Sequence, residues 1–262
     1  MLRTLQNPIA ALLLATAPLL HAPAQAAPSD KPTILLVHGA FAESLSWETV
    51  ISRLQAKGYN VVAAANPLRG LRSDSAYVAS LVDTIPGPVV MVGHSYGGAV
   101  ISNAASGKPN VKGLVFVAAF APDDGEALGE LAGRYPGSTL GEALAPPVTL
   151  PDGGKDLYVQ PAKYRDEIAA DVPAPIAALL AATQRPVAAN AFSETATHAA
   201  WKDLPSRFIY GTADKAIAPP LLAFMAQRAN SRRTVVIKGA SHAVLASQAN
   251  AVAALIEEAA KD

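Results

Sequence analysis

The chain has 262 residues, with 21 Lys+Arg balanced by 21 Asp+Glu, 51% hydrophobic residues and only 16% charged ones. So much apolar surface excludes a disordered tail, and the lack of cationic surplus excludes a protein that holds nucleic acid by neutralising phosphates. With no cysteine there is no disulfide, no thiolate nucleophile and no thiolate metal site. A chain of this length buries about 70 to 75% of the surface exposed when unfolded, so a single domain with an insertion is the expected organisation.

The first segment reads as a targeting signal. Arg3 is followed by an almost wholly apolar run from Ile9 to Leu20, interrupted by Pro18, and then by the small residues of Ala24-Gln25-Ala26. The run is too short for a membrane span of about 20 residues. It has the charged start, short apolar middle and small-residue end of a secretory signal peptide. The expectation is therefore a signal over residues 1–26 and a mature domain over 27–262, exported to the periplasm or secreted, without a stable membrane anchor after cleavage. Loss of Arg3 would leave one net negative charge.

From Thr33 onward, β-rich runs alternate with helical patterns: Thr33 to Val37 then Trp47 to Ala56, Asn60 to Ala64 then Asp74 to Val82, Pro88 to Val92 then Gly98 to Ala105. Leu114 to Val117 adds a further strand. This alternation predicts an α/β fold with a mostly parallel central sheet, and strands of nearly unbroken apolar residues predict helices on both faces. Between about 121 and 205 the alternation stops, prolines recur, and no β-rich run of useful length is evident. Short helices are expected around Ala162 to Ala170 and Ile176 to Thr183, and the segment is expected to form a helical cap over the carboxyl edge of the sheet, where open α/β sheets bind ligands. The alternation resumes with a strand over Arg207 to Tyr210, a helix over Leu221 to Arg228, a strand over Thr234 to Lys238 and a closing helix over Ala249 to Ala260.

The sharpest motif is Gly93-His94-Ser95-Tyr96-Gly97-Gly98, between a strand and a helix. It is a G-x-S-x-G nucleophile elbow, in which Gly93 and Gly97 let strand and helix pass closely and the helix amides face a developing negative charge. A serine hydroxyl needs a base, and histidine has the suitable pKa. His242, in the loop after the last strand, is the expected base; His198, inside the cap, is the alternative. Asp214, between Ser95 and His242 in the chain, is the expected acid, with Asp123 and Asp124 as the alternative pair. The oxyanion would be held by the amide of Tyr96 and by one from His38-Gly39-Ala40-Phe41, with Ala40 favoured over Phe41. The cap side chains Tyr158, Tyr164, Ile176, Leu179, Leu180 and Phe192 are candidate pocket walls, or else cap core.

These motifs, together with Ser46-Trp47, Gly211-Thr212-Ala213-Asp214-Lys215 and Gly239-Ala240-Ser241-His242, resemble the α/β-hydrolase fold, in particular the small single-domain group of plant methyl-ester esterases and hydroxynitrile lyases. The resemblance implies a triad of Ser95, Asp214 and His242, an oxyanion hole at Ala40 and Tyr96, a small-molecule carboxylic ester as substrate, and neither cofactor nor metal. Ala243 and Gly39 stand where the resembling lyases carry a lysine and a threonine, which removes the charge that holds cyanide. Epoxide hydrolases and haloalkane dehalogenases of this fold use an aspartate nucleophile, and here the elbow carries Ser95. Amide, lactone or carbon-carbon bond cleavage, a haloperoxidase-type side activity and a non-catalytic binding protein are the alternatives to an esterase.

Overall fold

The computed structural model describes residues 31–262. The expected signal over residues 1–26 lies outside them. The elements follow in chain order as β1 (Thr33–Val37), α1 (Glu48–Ala56), β2 (Val61–Ala64), α2 (Leu71–Thr84), β3 (Val89–His94), α3 (Tyr96–Ala104) and β4 (Val111–Val117). The insertion holds α4 (Leu128–Ala132), α5 (Leu140–Ala143), β5 (Val148–Thr149), β6 (Lys155–Leu157), α6 (Pro161–Ile168), α7 (Ala174–Ala182) and β7 (Val187–Ala188). The chain then closes with β8 (Ser206–Gly211), α8 (Pro219–Arg228), β9 (Arg233–Ile237), α9 (Val244–Ser247) and α10 (Ala249–Ala259).

Six strands pair in parallel in the order β2-β1-β3-β4-β8-β9. The chain first steps outward from β1 to β2 and then crosses to β3 on the other side of β1, so its direction of travel reverses between β1 and β3. At such a switch point the loops leaving the two strands diverge and open a crevice at their carboxyl ends. Val37 at the end of β1 is in register with Gly93 near the end of β3, which brings the loop starting at His38 level with the turn carrying Ser95. β1, β3 and all of β4 except Lys112 are buried, as their apolar sequences require. Helix α3 packs on β3 and β4 and against α2, while α10 packs on the same two strands and against α1, so the central strands are covered by two helix pairs.

The cap differs from the expectation in one instructive way. The cap is not purely helical: β5, β6 and β7 form a small antiparallel sheet of three strands. Two of these strands are only two residues long, too short to leave a period-two pattern in the sequence. At the edge of the sheet, β9 is partly open to solvent, with Val236 50% exposed. An apolar run alone does not distinguish a central strand from an edge.

The elbow depends on contact distances that leave no room for a side chain. A Cβ on Gly97 would stand 2.4 Å from the carbonyl oxygen of Val37, and one on Gly93 would stand 2.5 Å from that of Gly97. Both obstacles are backbone, so β1, β3 and α3 would have to separate. Gly97→Ala is therefore expected to destabilise the protein by about 3 kcal/mol, the upper end for overpacking a rigid core. The urea midpoint checks this, and an unshifted midpoint would show that the three elements are not in rigid contact.

Candidate active site

Ser95 lies between β3 and α3 with φ of 54° and ψ of −123°, a left-handed region that non-glycine residues seldom occupy. Its backbone is tied on both sides: its N–H donates to Val117 (3.2 Å), and its carbonyl accepts from Gly98 (3.0 Å) and Phe120 (3.1 Å). Tyr96 opens α3, so its N–H belongs to the first-turn amides for which a helix supplies no carbonyl partner. Below it, the Tyr96 hydroxyl donates to Asp74 (2.8 Å), a fully buried carboxylate that also accepts the N–H of Arg69 (3.1 Å). Burial pushes the Asp74 carboxyl above its usual range, and it pushes the Tyr96 phenol upward as well.

His242 and Asp214 meet in a buried hydrogen bond, Nδ1–H to Oδ2 at 2.8 Å. The other Asp214 oxygen accepts the amides of Ala216 and Ile217, both at 2.9 Å, which fixes the plane of the carboxylate. With Nδ1 committed to Asp214, the Nε2 of His242 is the ring atom left for chemistry. His242 and Ser95 line the same chamber. His94, the residue before Ser95, donates from Nε2 to the backbone carbonyl of His242 (3.1 Å), and the two rings lie 4.8 Å apart. Burial, followed by the proximity of His242, holds the His94 imidazole well below the usual range for histidine, so it braces the site as a neutral ring.

The loop after β1 is held by its carbonyls. Asn66 donates to His38 O (3.0 Å), His38 Nδ1 donates to Gly39 O (2.9 Å), and the Tyr164 hydroxyl donates to Phe41 O (3.0 Å). Since C=O and N–H of a trans peptide point in opposite directions, anchoring Gly39 O turns the Ala40 N–H away from the His38 ring. Gly39 is pressed onto the elbow, and a Cβ there would stand 2.6 Å from that of Ser95. Phe41 has a φ of 58°, a second strained position in the lining of the chamber that holds Ser95.

The cap holds these loops. Ile168, at the end of α6, accepts the Ala243 N–H (2.8 Å) and the Ser241 hydroxyl (3.1 Å), one residue either side of His242. Asp171 accepts the Ser241 N–H at 3.2 Å and also its hydroxyl. Thr139 N–H donates to Lys215 O and the Ser138 hydroxyl to Ala216 O, both at 2.9 Å, beside Asp214. Glu167 is buried, accepts from Thr139 (2.8 Å), and has its carboxyl pushed up by burial while Lys215 and His242 favour its charged form. None of these cap contacts was anticipated. Their signal was the spacing of Tyr164, Glu167 and Ile168, which falls on one helical face and sets a carboxylate in an otherwise buried stripe.

Other sequence candidates lie elsewhere. His198 is exposed, and its backbone N–H donates to Asn103 (3.1 Å). Asp123 and Asp124 both pair with Lys202. Among the candidate cap walls, Phe192 lines the chamber; Tyr164 and Leu180 instead border a small cavity near His94 and Ala243. Ile176 and Leu179 are exposed on α7, and Tyr158 is part-buried outside both cavities. Among the described residues, no group of three or more His, Cys, Asp or Glu side chains is arranged to hold a metal ion.

The pattern of the alpha/beta hydrolase family matches residues 34–255. The chain belongs to that family. It is 28% identical over 250 residues to an alpha/beta hydrolase of Aspergillus novofumigatus, covering 88% of this chain and 97% of that one. Polyneuridine aldehyde esterase has a similar fold, with a TM-score of 0.75 at 19% identity over 87% of this chain and 98% of that one. A pyrethroid hydrolase from Sphingobium faniae has a TM-score of 0.69 at 20% identity over 88% and 97% of the two chains.

Burial at this site has a consequence for stability. His38 is lowered from 6.5 to about 4, first by desolvation, so the unfolded chain binds a proton there between those values and the folded chain does not. The neutral ring's contribution is complete above pH 6.5 and is lost as pH falls toward 4, at up to about 1.4 kcal/mol per pH unit. His38→Gln keeps a side-chain donor but cannot titrate. Its urea midpoint should fall less steeply than that of the wild type between about pH 6.5 and pH 4.5, with His94 supplying the residual slope. Parallel curves would contradict a neutral buried His38.

Proposed function

We propose that this hydrolase cleaves carboxylic esters through an acyl-serine, with Ser95 as nucleophile, His242 as base and Asp214 as the carboxylate that orients it. The observation that carries the reading is the buried 2.8 Å bond from His242 to Asp214, in the same chamber as a serine on a strained elbow. The esterase names of similarly folded proteins, polyneuridine aldehyde esterase and an Arabidopsis methylesterase, support an ester as the bond broken.

His242 Nε2 accepts the Ser95 proton as Oγ attacks the carbonyl carbon, and the imidazolium that forms is stabilised by Asp214. The oxyanion lies between the amides of Tyr96 and Ala40. Ala40 is the favoured donor from its loop because the peptide that carries its N–H is the one His38 anchors. The imidazolium returns the proton to the leaving alcohol oxygen, the C–O bond breaks, and Ser95 carries the acyl group. His242 then deprotonates water, which attacks the acyl carbon; the bond to Ser95 Oγ breaks, the imidazolium returns its proton to Oγ, and the acid leaves.

Ser95→Ala is expected to lower kcat on an activated aryl ester by at least about 10⁴-fold without changing the thermal midpoint by more than a few degrees, and Asp214→Asn by about 10⁴-fold through the wrong imidazole tautomer. An organophosphorus probe should label Ser95 in the wild type. Full activity in the alanine variant would end the reading. Faster turnover of amides or lactones than of esters would keep the triad and move the bond it breaks.

A further inference from the structure

The chamber over Ser95 has a volume of about 200 Å³ and fifteen lining residues. Phe41, Phe120 and Ile217 contribute from the sheet side, and Leu144, Leu157 and Phe192 from the cap. Among the described residues, only Ser95, Ser138 and His242 bring a polar side chain, and no Asp, Glu, Lys or Arg lines the space. The Ser138 hydroxyl is already donated to Ala216 O, and His242 Nδ1 to Asp214. The polar side-chain atoms left to meet a ligand are therefore the reacting ones, Ser95 Oγ and His242 Nε2.

Two limits on the substrate follow. A second charge carried into this chamber would lose its water and find no charged or free polar partner among the described side chains that line it. The volume sets the second limit: an apolar cavity of about 150 Å³ accommodates benzene, whereas drug-sized ligands occupy about 300 to 1,000 Å³. The space thus fits a ring and a few further atoms. Of the two halves of an ester, the acyl group is the one that stays on Ser95 while water attacks, so it is the half whose burial serves both steps.

Building on the esterase reading, we propose that the enzyme selects uncharged, compact hydrocarbon acyl groups of about the size of phenylacetyl, and rejects acyl groups that carry a second carboxylate or a long chain. Phe192, part-buried on the cap with its ring 6.3 Å from that of Tyr96, closes one side and limits chain length.

The test uses p-nitrophenyl esters, whose common leaving group isolates the acyl half. kcat/KM for the phenylacetate should exceed that for the hemisuccinate by at least about 100-fold, because the succinyl carboxylate is left unpaired. It should exceed that for the laurate by at least about 10-fold, because the chain outgrows the chamber. Phe192→Ala should raise the laurate-to-phenylacetate ratio by about 10-fold, as removal of a ring opens volume. A hemisuccinate turned over as well as the phenylacetate, or a laurate preferred by the wild type, would overturn the selectivity. Organophosphorus labelling of Ser95 is run on the same preparation. Labelled protein that hydrolyses none of these esters refutes the acyl preference alone. Unlabelled, inactive protein refutes the serine-esterase reading and the preference with it.

Discussion

The hydrogen bond between His242 Nδ1 and Asp214 Oδ2 is the interaction around which the rest of the site is arranged. It forms only if loops following two different strands, β8 and β9, meet above the sheet with their side chains converging. Parallel pairing brings the ends of those strands together, with Gly211 in register with Ile237. Pairing alone does not fix loops that extend beyond the last ladder bond. Asp214 is held by the two amides that follow it, and His242 is held through its neighbours Ser241 and Ala243. The bond is thus the visible end of a chain of backbone anchors, several of which belong to the cap.

That dependence changes what the insertion is for. From the sequence it looked like a cover placed over a finished site. In the structure, the turn before α5, helix α6 and the loop after it reach the loops carrying Asp214, His242 and Ala40, through Ser138 and Thr139, Ile168 and Asp171, and Tyr164 respectively. Residues that bond to the carbonyls and amides flanking reactive groups set the positions of those groups, and positioning errors of about 1 Å are costly to catalysis. The cap therefore builds the geometry as well as the walls.

The sequence made the central sheet and the elbow legible because both are written in local terms. Unbroken apolar strands and glycines two places either side of Ser95 each state a constraint that one stretch of chain satisfies by itself, and the order Ser95, Asp214, His242 is read directly along the chain. The cap was legible only in outline. Its strands β5 to β7 are too short to show a period, and some of its contacts with the site loops are made through backbone groups, Ile168 O and Thr139 N–H among them, which almost any residue type could supply. Side-chain chemistry can be read from a sequence; a carbonyl used as an anchor cannot. Of the candidate wall residues Phe192 lines the chamber, while Ile176 and Leu179 have the right composition but are exposed on α7.

Three histidines sit in or beside the site, and their partners sort them into different roles. His38 and His94 donate to backbone carbonyls, which do not carry the full negative charge needed to hold a buried imidazolium, and burial keeps both rings neutral. His242 donates to a carboxylate. In the proposed mechanism, a proton taken from Ser95 therefore goes to His242, and the two neutral rings brace the loops at His38 and His242 without competing for it. A carboxylate beside either of the other two would create a rival cation within the site, and the field of that cation would oppose the transfer from Ser95 to His242.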